Sequence, residues 1–158
     1  MKLYLLRHGP AVSRQEWDKA DSERPLTEHG IKVTNKVAQH ICDLDLGLDA
    51  LLTSPYARAR DTARIVAKEC GIKALLAEEP GLEPDRFTAA ELRRILDEHP
   101  DAENVMVVGH EPSMSTVASD VIGGGSLRLK KSGLIRIDIS NRESLRGELS
   151  WLIPPKLH

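Results

Sequence analysis

Apolar and polar positions along the chain follow two rhythms, short unbroken apolar runs and stretches with helical spacing. Residues 3–6 (Leu3-Tyr4-Leu5-Leu6) form an apolar run that stops at Arg7, which predicts a strand buried on both faces of a largely parallel sheet. Runs at 48–52, ending in Thr53-Ser54-Pro55, and at 105–108, ending in Gly109-His110, predict two more strands of the same kind. Residues 72–76 are also strand-like. Helical spacing predicts helices over 27–43 with Thr27 as N-cap, 56–69 stopped by Gly71, 89–98 stopped before Pro100, and 113–122 stopped by Gly123. Strands alternating with helices of this length imply βαβ crossovers. At the C-terminus the rhythm changes to period two over 134–139, followed by turn residues at 141–147 and a returning segment at 148–153, which predicts an edge hairpin. The fold class is therefore α/β: a single-domain, three-layer α/β/α sandwich with a mostly parallel central sheet and an antiparallel edge strand.

Composition narrows the function. With 158 residues of which 41% are hydrophobic, one core of ordinary size is expected, hence one domain over 1–158. Twenty-two Lys and Arg against 24 Asp and Glu leave a net charge of -2, so no global field is available to hold nucleic acid or a membrane, and any anion site must be local. The aromatic residues are few (Tyr4, Trp17, Tyr56, Phe87, Trp151), which argues against base-stacking platforms and aromatic sugar clefts. Cys42 and Cys70 stand outside any CxxC or Cys/His cluster, so reduced, semi-buried thiols are expected, with no metal and no cofactor. The apolar run before Arg7 is shorter than a signal-peptide core or a membrane span, and a cytoplasmic protein is expected. Gly123-Gly124-Gly125-Ser126 is too short for a linker and marks a chain reversal.

The chemistry gathers where strands end. Open α/β sheets place ligands at the carboxyl edge, so Arg7-His8-Gly9, Thr53-Ser54-Pro55 with Arg58, and Gly109-His110-Glu111 should converge. Two imidazoles and two guanidiniums together would repel one another unless an anion joins them. A phosphate dianion suits them, since the arginine fork grips phosphoryl oxygens with paired hydrogen bonds. No Ser or Cys stands in an activating context such as GxSxG, and the histidines lack HExxH metal spacing, which leaves histidine as the nucleophile. Neighbouring Arg7 and Arg58 should keep His8 neutral near pH 7 with one ring nitrogen free to attack.

Four segments in order, Leu5-Leu6-Arg7-His8-Gly9, Pro25-Leu26-Thr27-Glu28-His29-Gly30, Ser54-Pro55-Tyr56-Ala57-Arg58-Ala59-Arg60-Asp61-Thr62-Ala63 and Val108-Gly109-His110-Glu111-Pro112, resemble the histidine phosphatase superfamily. The short length and the Trp151-to-Leu157 ending resemble its SixA-type phosphohistidine phosphatase branch. The resemblance implies a phosphoglycerate mutase-like fold. It also implies that His8 is phosphorylated in the intermediate, that Arg7 and Arg58 bind phosphoryl oxygens, that His110 donates to the transferring group, and that the Gly9 carbonyl orients the His8 ring. Pro10 stands where mutases commonly carry Glu or Gln, which weakens substrate assignments taken from them. The family draws its general acid from a carboxylate whose position varies between branches; Glu83 is the candidate here, with Glu78, Glu79 and Asp85 near enough to compete.

The resulting expectation is hydrolysis of phosphohistidine on a protein, with inorganic phosphate as product. The excursions at 10–25 and 71–100 leave no room for a large lid, and an open site suits a bulky substrate. Hydrolysis of a small phosphorylated metabolite is the alternative enzyme reading, and a non-catalytic phosphate or phosphopeptide-binding module is the alternative of another class. His29, His40, His99 and His158 fall on helix faces, in loops or at the terminus and receive no role. Arg60 does not share a helix face with Arg58. Residues 125–132 lack the second glycine of a nucleotide-binding loop, and Ser54 stays open between turn former and pocket residue.

Overall fold

In the computed structural model, which describes residues 1–157, the chain order is β1 (Lys2–Arg7), α1 (Glu28–Asp43), β2 (Ala50–Thr53), α2 (Ala57–Glu69), β3 (Leu76–Glu78), α3 (Ala89–Asp97), β4 (Asn104–Gly109), α4 (Ser113–Val121), β5 (Leu134–Asn141) and β6 (Arg146–Ile153). His158 lies outside the described residues. The strands form one six-stranded sheet in the order β3-β2-β4-β1-β5-β6. Its first four strands are parallel, and β5 pairs antiparallel with both β1 and β6. The hairpin does stand at the sheet edge, but its reversed strand is β5, one place inside it. Helices pack on both faces of this sheet, which makes the fold an α/β sandwich.

The unbroken apolar runs are explained by burial on both sides. Successive side chains of a strand point to opposite faces, so Leu3 and Leu5 of β1 pack with Leu92, Ile95 and Val117 of α3 and α4. Tyr4 and Leu6 pack with Val37, Ile41, Ala63 and Val66 of α1 and α2. Each such large aliphatic side chain contributes roughly 1.5–3 kcal/mol on burial. Helix starts follow their caps: Thr27 Oγ1 accepts from the Gly30 N–H at 2.9 Å, and Thr88 Oγ1 from the Glu91 N–H at 3.2 Å, satisfying donors that the helix itself cannot. The strand expected at 72–76 begins instead with a tight turn at Lys73–Leu75, and pairing with Leu51–Thr53 sets β3 at Leu76–Glu78.

The expectation of free thiols fails. Cys42 and Cys70 are joined by a disulfide with an S–S distance of 2.09 Å across 28 residues. The pair sits at the C-terminal ends of α1 and α2, which pack side by side and bring the two Cα atoms to 5.2 Å, within bonding reach. Spacing along the chain carries no record of that helix pairing. No helix among the described residues is long and apolar enough to cross a membrane.

Candidate active site

The site is built on the carboxyl ends of the parallel strands. Where β1 leaves the sheet, the His8 N–H donates to the Gly109 carbonyl at 3.1 Å, while the Ser132 N–H donates to the carbonyls of Arg7 and His8, both at 3.1 Å. This backbone stitching holds the end of β1 between β4 and the approach to β5. Gly9 then passes through a gap that admits no side chain: a Cβ there would lie 2.3 Å from Thr34 Oγ1 and 3.2 Å from Leu26 Cδ2. Its N–H donates to Thr62 Oγ1 at 3.0 Å, and Thr62 Oγ1 in turn donates to the Arg58 carbonyl at 2.7 Å. Thr62 therefore couples the β1 loop to the first turns of α2.

His8 Nδ1 lies 2.7 Å from the Gly9 carbonyl oxygen. A carbonyl can only accept, so Nδ1 carries the proton and the neutral ring keeps its lone pair on Nε2. The His8 and His110 ring centroids are 5.3 Å apart, and the two imidazoles are 6% and 3% exposed. Ser54 Oγ accepts from the Tyr56 N–H at 3.2 Å and lies 2.8 Å from His110 Nε2; with its hydroxyl donated to that nitrogen, the neutral His110 ring carries its proton on Nδ1. Ser54, left open by the sequence, thus contacts a pocket histidine. Tyr56 packs edge-on to His110 with centroids 5.5 Å apart, and the Arg58 guanidinium lies 5.2 Å from the Tyr56 ring.

The arginines are held from outside. Arg7 Nη1 donates to the Leu129 carbonyl at 2.9 Å; Arg58 donates from Nη1 to the Asp21 carbonyl at 2.9 Å and from Nη2 to Asp21 Oδ2 at 3.1 Å. Asp21 was invisible in the sequence, since it lies in an irregular polar excursion with no periodicity to read. What these contacts leave over is informative: Arg7 Nε, Arg58 Nε and His110 Nδ1 are buried without a hydrogen-bond partner. Unpaired buried donors are costly, and three on the side chains near His8 are what an oxyanion would satisfy.

Burial is the first cause that pushes the His8 imidazolium well below its usual range; the Gly9 carbonyl opposes this, and His110, Arg58 and Arg7 add to it. The neighbouring cations, taken from the sequence as the reason for neutrality, are the smaller cause. His110 is lowered to about 3, first by burial and then by Arg58, with Asp21 working in the other direction. Both rings are neutral near pH 7.

Arg7, His8, Arg58 and His110 are therefore brought together, while the Glu83 side chain makes no hydrogen bond or ion pair to those four among the described residues. The turn at Pro80–Leu82 runs beside Gly109 at the same sheet edge, but the Glu83 carboxylate is paired with Arg86 Nη1 at 3.4 Å. Glu111, next to His110, has one buried carboxylate oxygen without a partner, and Ser115 Oγ donates to the other. No three His, Cys, Asp or Glu side chains gather as a metal-binding set among the described residues.

The family profile described as histidine phosphatase superfamily (branch 1) matches residues 3–83. The chain belongs to the histidine phosphatase superfamily. The matched stretch holds Arg7, His8 and Arg58, and His110 lies beyond it. The chain is 36% identical over 176 residues to an uncharacterized protein of Picosynechococcus sp., covering 98% of this chain and all of that one. It is 35% identical over 100 residues to "Probable phosphoglycerate mutase GpmB" of Photorhabdus laumondii, covering 60% of this chain and 43% of that protein; the chain thus spans under half of this mutase relative. The structure of the protein histidine phosphatase SixA complexed with tungstate superposes with a TM-score of 0.87 at 22% identity, covering 99% of this chain and 98% of the other, a likeness of fold.

Proposed function

We propose that this histidine phosphatase hydrolyses phosphohistidine on a protein through a covalent phosphohistidine on His8. One observation carries the reading: Arg7 Nε, Arg58 Nε and His110 Nδ1 are unpartnered buried donors on side chains that lie near His8, whose Nδ1 is tied to the Gly9 carbonyl. The lone pair on His8 Nε2 attacks phosphorus, the bond from phosphorus to the substrate imidazole breaks, and that imidazole leaves with a proton from solvent. Water then attacks the phosphoryl group on His8, gives up a proton to bulk solvent, and releases inorganic phosphate and free His8. Arg7, Arg58 and His110 stabilise the equatorial oxygens in both steps, supplying from side chains the positive charge that phosphoryl transfer needs.

The choice of phosphohistidine rests on the leaving group. Imidazole departs with a pKa of roughly 6.5, whereas an alkoxide requires a positioned acid, and among the described residues Glu83 makes no hydrogen bond to the four pocket side chains, its partner being Arg86 at 3.4 Å. The SixA protein that shares the fold is named a protein histidine phosphatase, in keeping with this substrate. A second reading, hydrolysis of small phosphomonoesters, draws on Glu111, which follows His110 in the chain and has one buried carboxylate oxygen without a partner. Comparing phosphohistidine peptides with sugar phosphates separates the two, and a clear preference for the sugar phosphates overturns the first. Quenching turnover of a radiolabelled phosphohistidine peptide should leave acid-labile phosphate on the wild-type chain and none on His8→Ala. Turnover with no label on the wild type removes the covalent step, and binding of the peptide with neither label nor turnover makes the chain a phosphate-binding module.

A further inference from the structure

Beside the phosphate pocket runs an open cleft of about 590 Å³. Its positive lining comes from Arg7, Arg128, Lys130, Lys131 and Lys156, with no acidic residue among the lining side chains. Pro10, Val33, Leu129 and Pro155 supply apolar surface between those charges. Arg128, Lys130, Lys131 and Lys156 are exposed, and among the described residues none of the four is ion-paired. This concentration of positive charge stands out in a chain with a net charge of -2. The cleft is continuous with the site through Arg7, whose Nη1 holds the carbonyl of Leu129 in the cleft wall.

Resting on the reading of His8 given above, we propose that this cleft docks an acidic segment of the phosphoprotein substrate and presents its phosphohistidine to His8. Small-ligand sites use a few fixed polar groups in an enclosed cavity. Here the charges are long, mobile side chains on an open trough, and the apolar strips between them suit the side-chain stems of a peptide. Such a surface selects a partner by the sign of its charge and speeds encounter. The acidic segment lies along Arg128-Lys131 and Lys156 while Arg7 bridges it to the phosphoryl group.

The test uses phosphohistidine peptides flanked by Asp and Glu or by Ser and Gln, with phosphoramidate as a small reference substrate. At low salt the wild type should turn over the acidic peptide with kcat/KM about tenfold higher, the gain lying in KM and shrinking as salt rises. K130E/K131E and, separately, R128E/K156E should remove that preference while phosphoramidate turnover stays within about twofold. Equal kcat/KM for both peptides in the wild type overturns the cleft, as does a preference that survives both charge reversals. If the reversals impair a small bisphosphate and spare the acidic peptide, the cleft serves small polyanions and the proposal is equally overturned. Loss of turnover on phosphoramidate and both peptides in the wild type would strike the reading of His8 itself, a separate result.

Discussion

The two flanks of His8 are both cationic, yet they are balanced in opposite ways. On the β2 side Asp21 collects Arg24 at 2.8 Å, Arg58 at 3.1 Å and Arg14 at 3.7 Å. On the β5 side Arg128, Lys130 and Lys131 have no acidic partner among the described residues. Burial accounts for the difference. Arg58 is 4% exposed, and a guanidinium out of water needs a counter-charge, which the fold brings from a distant excursion. Lys130 and Lys131 are hydrated by solvent and need none. The first flank is thus a fixed part of the pocket whose cation is shared between Asp21 and an arriving anion, and the second is a reserve of charge open to a partner from outside.

Removing the buried cation should have the largest consequence. Arg58→Ala is expected to lower kcat/KM by more than tenfold, because a charge-assisted contact to the transferring oxygens is lost. Steady-state kinetics on phosphohistidine peptide measure it, and unchanged turnover would take Arg58 out of the site. A smaller change follows from neutralising its counter-charge. Asp21→Asn keeps an oxygen to accept from Arg58 Nη2 but removes the negative charge facing the anion, so inhibition by inorganic phosphate should strengthen about threefold with kcat within about twofold. Weaker phosphate inhibition would mean that Asp21 serves mainly to orient Arg58.

The parallel sheet and the meeting of four side chains were legible because strands buried on both faces leave unbroken apolar runs, and Arg7, His8, Arg58 and His110 each end or follow one. The antiparallel pair was legible from the alternation at 134–139. Asp21 was not, since a residue recruited from an irregular excursion to balance a buried charge leaves no periodic trace. Nor was the Cys42–Cys70 bond, which depends on how two helix ends pack. Glu83 was drawn in by its place at the sheet edge; its carboxylate lies 3.4 Å from Arg86, three residues on, and bonds to none of the four pocket side chains among the described residues. His8 was expected to be neutral, and the sequence had suggested its cations as the reason, because burial of a strand-end side chain cannot be weighed without the layers around it.

That last difference separates burial from charge as the origin of the neutral imidazoles. His8 and His110 have folded pKa values below the ordinary value, so below about pH 6.5 the unfolded chain binds protons that the native state does not. Stability should therefore fall as pH drops from 7 to 5, a window lying above the value of about 3 for His110. Arg58 presses in the same direction on both rings, but burial comes first for each. Urea unfolding of wild type and Arg58→Ala should consequently show parallel losses over this range, differing by less than about 0.5 kcal/mol, a small fraction of one pKa unit per ring. A much shallower loss in Arg58→Ala would assign the neutrality of these rings to the flanking cation.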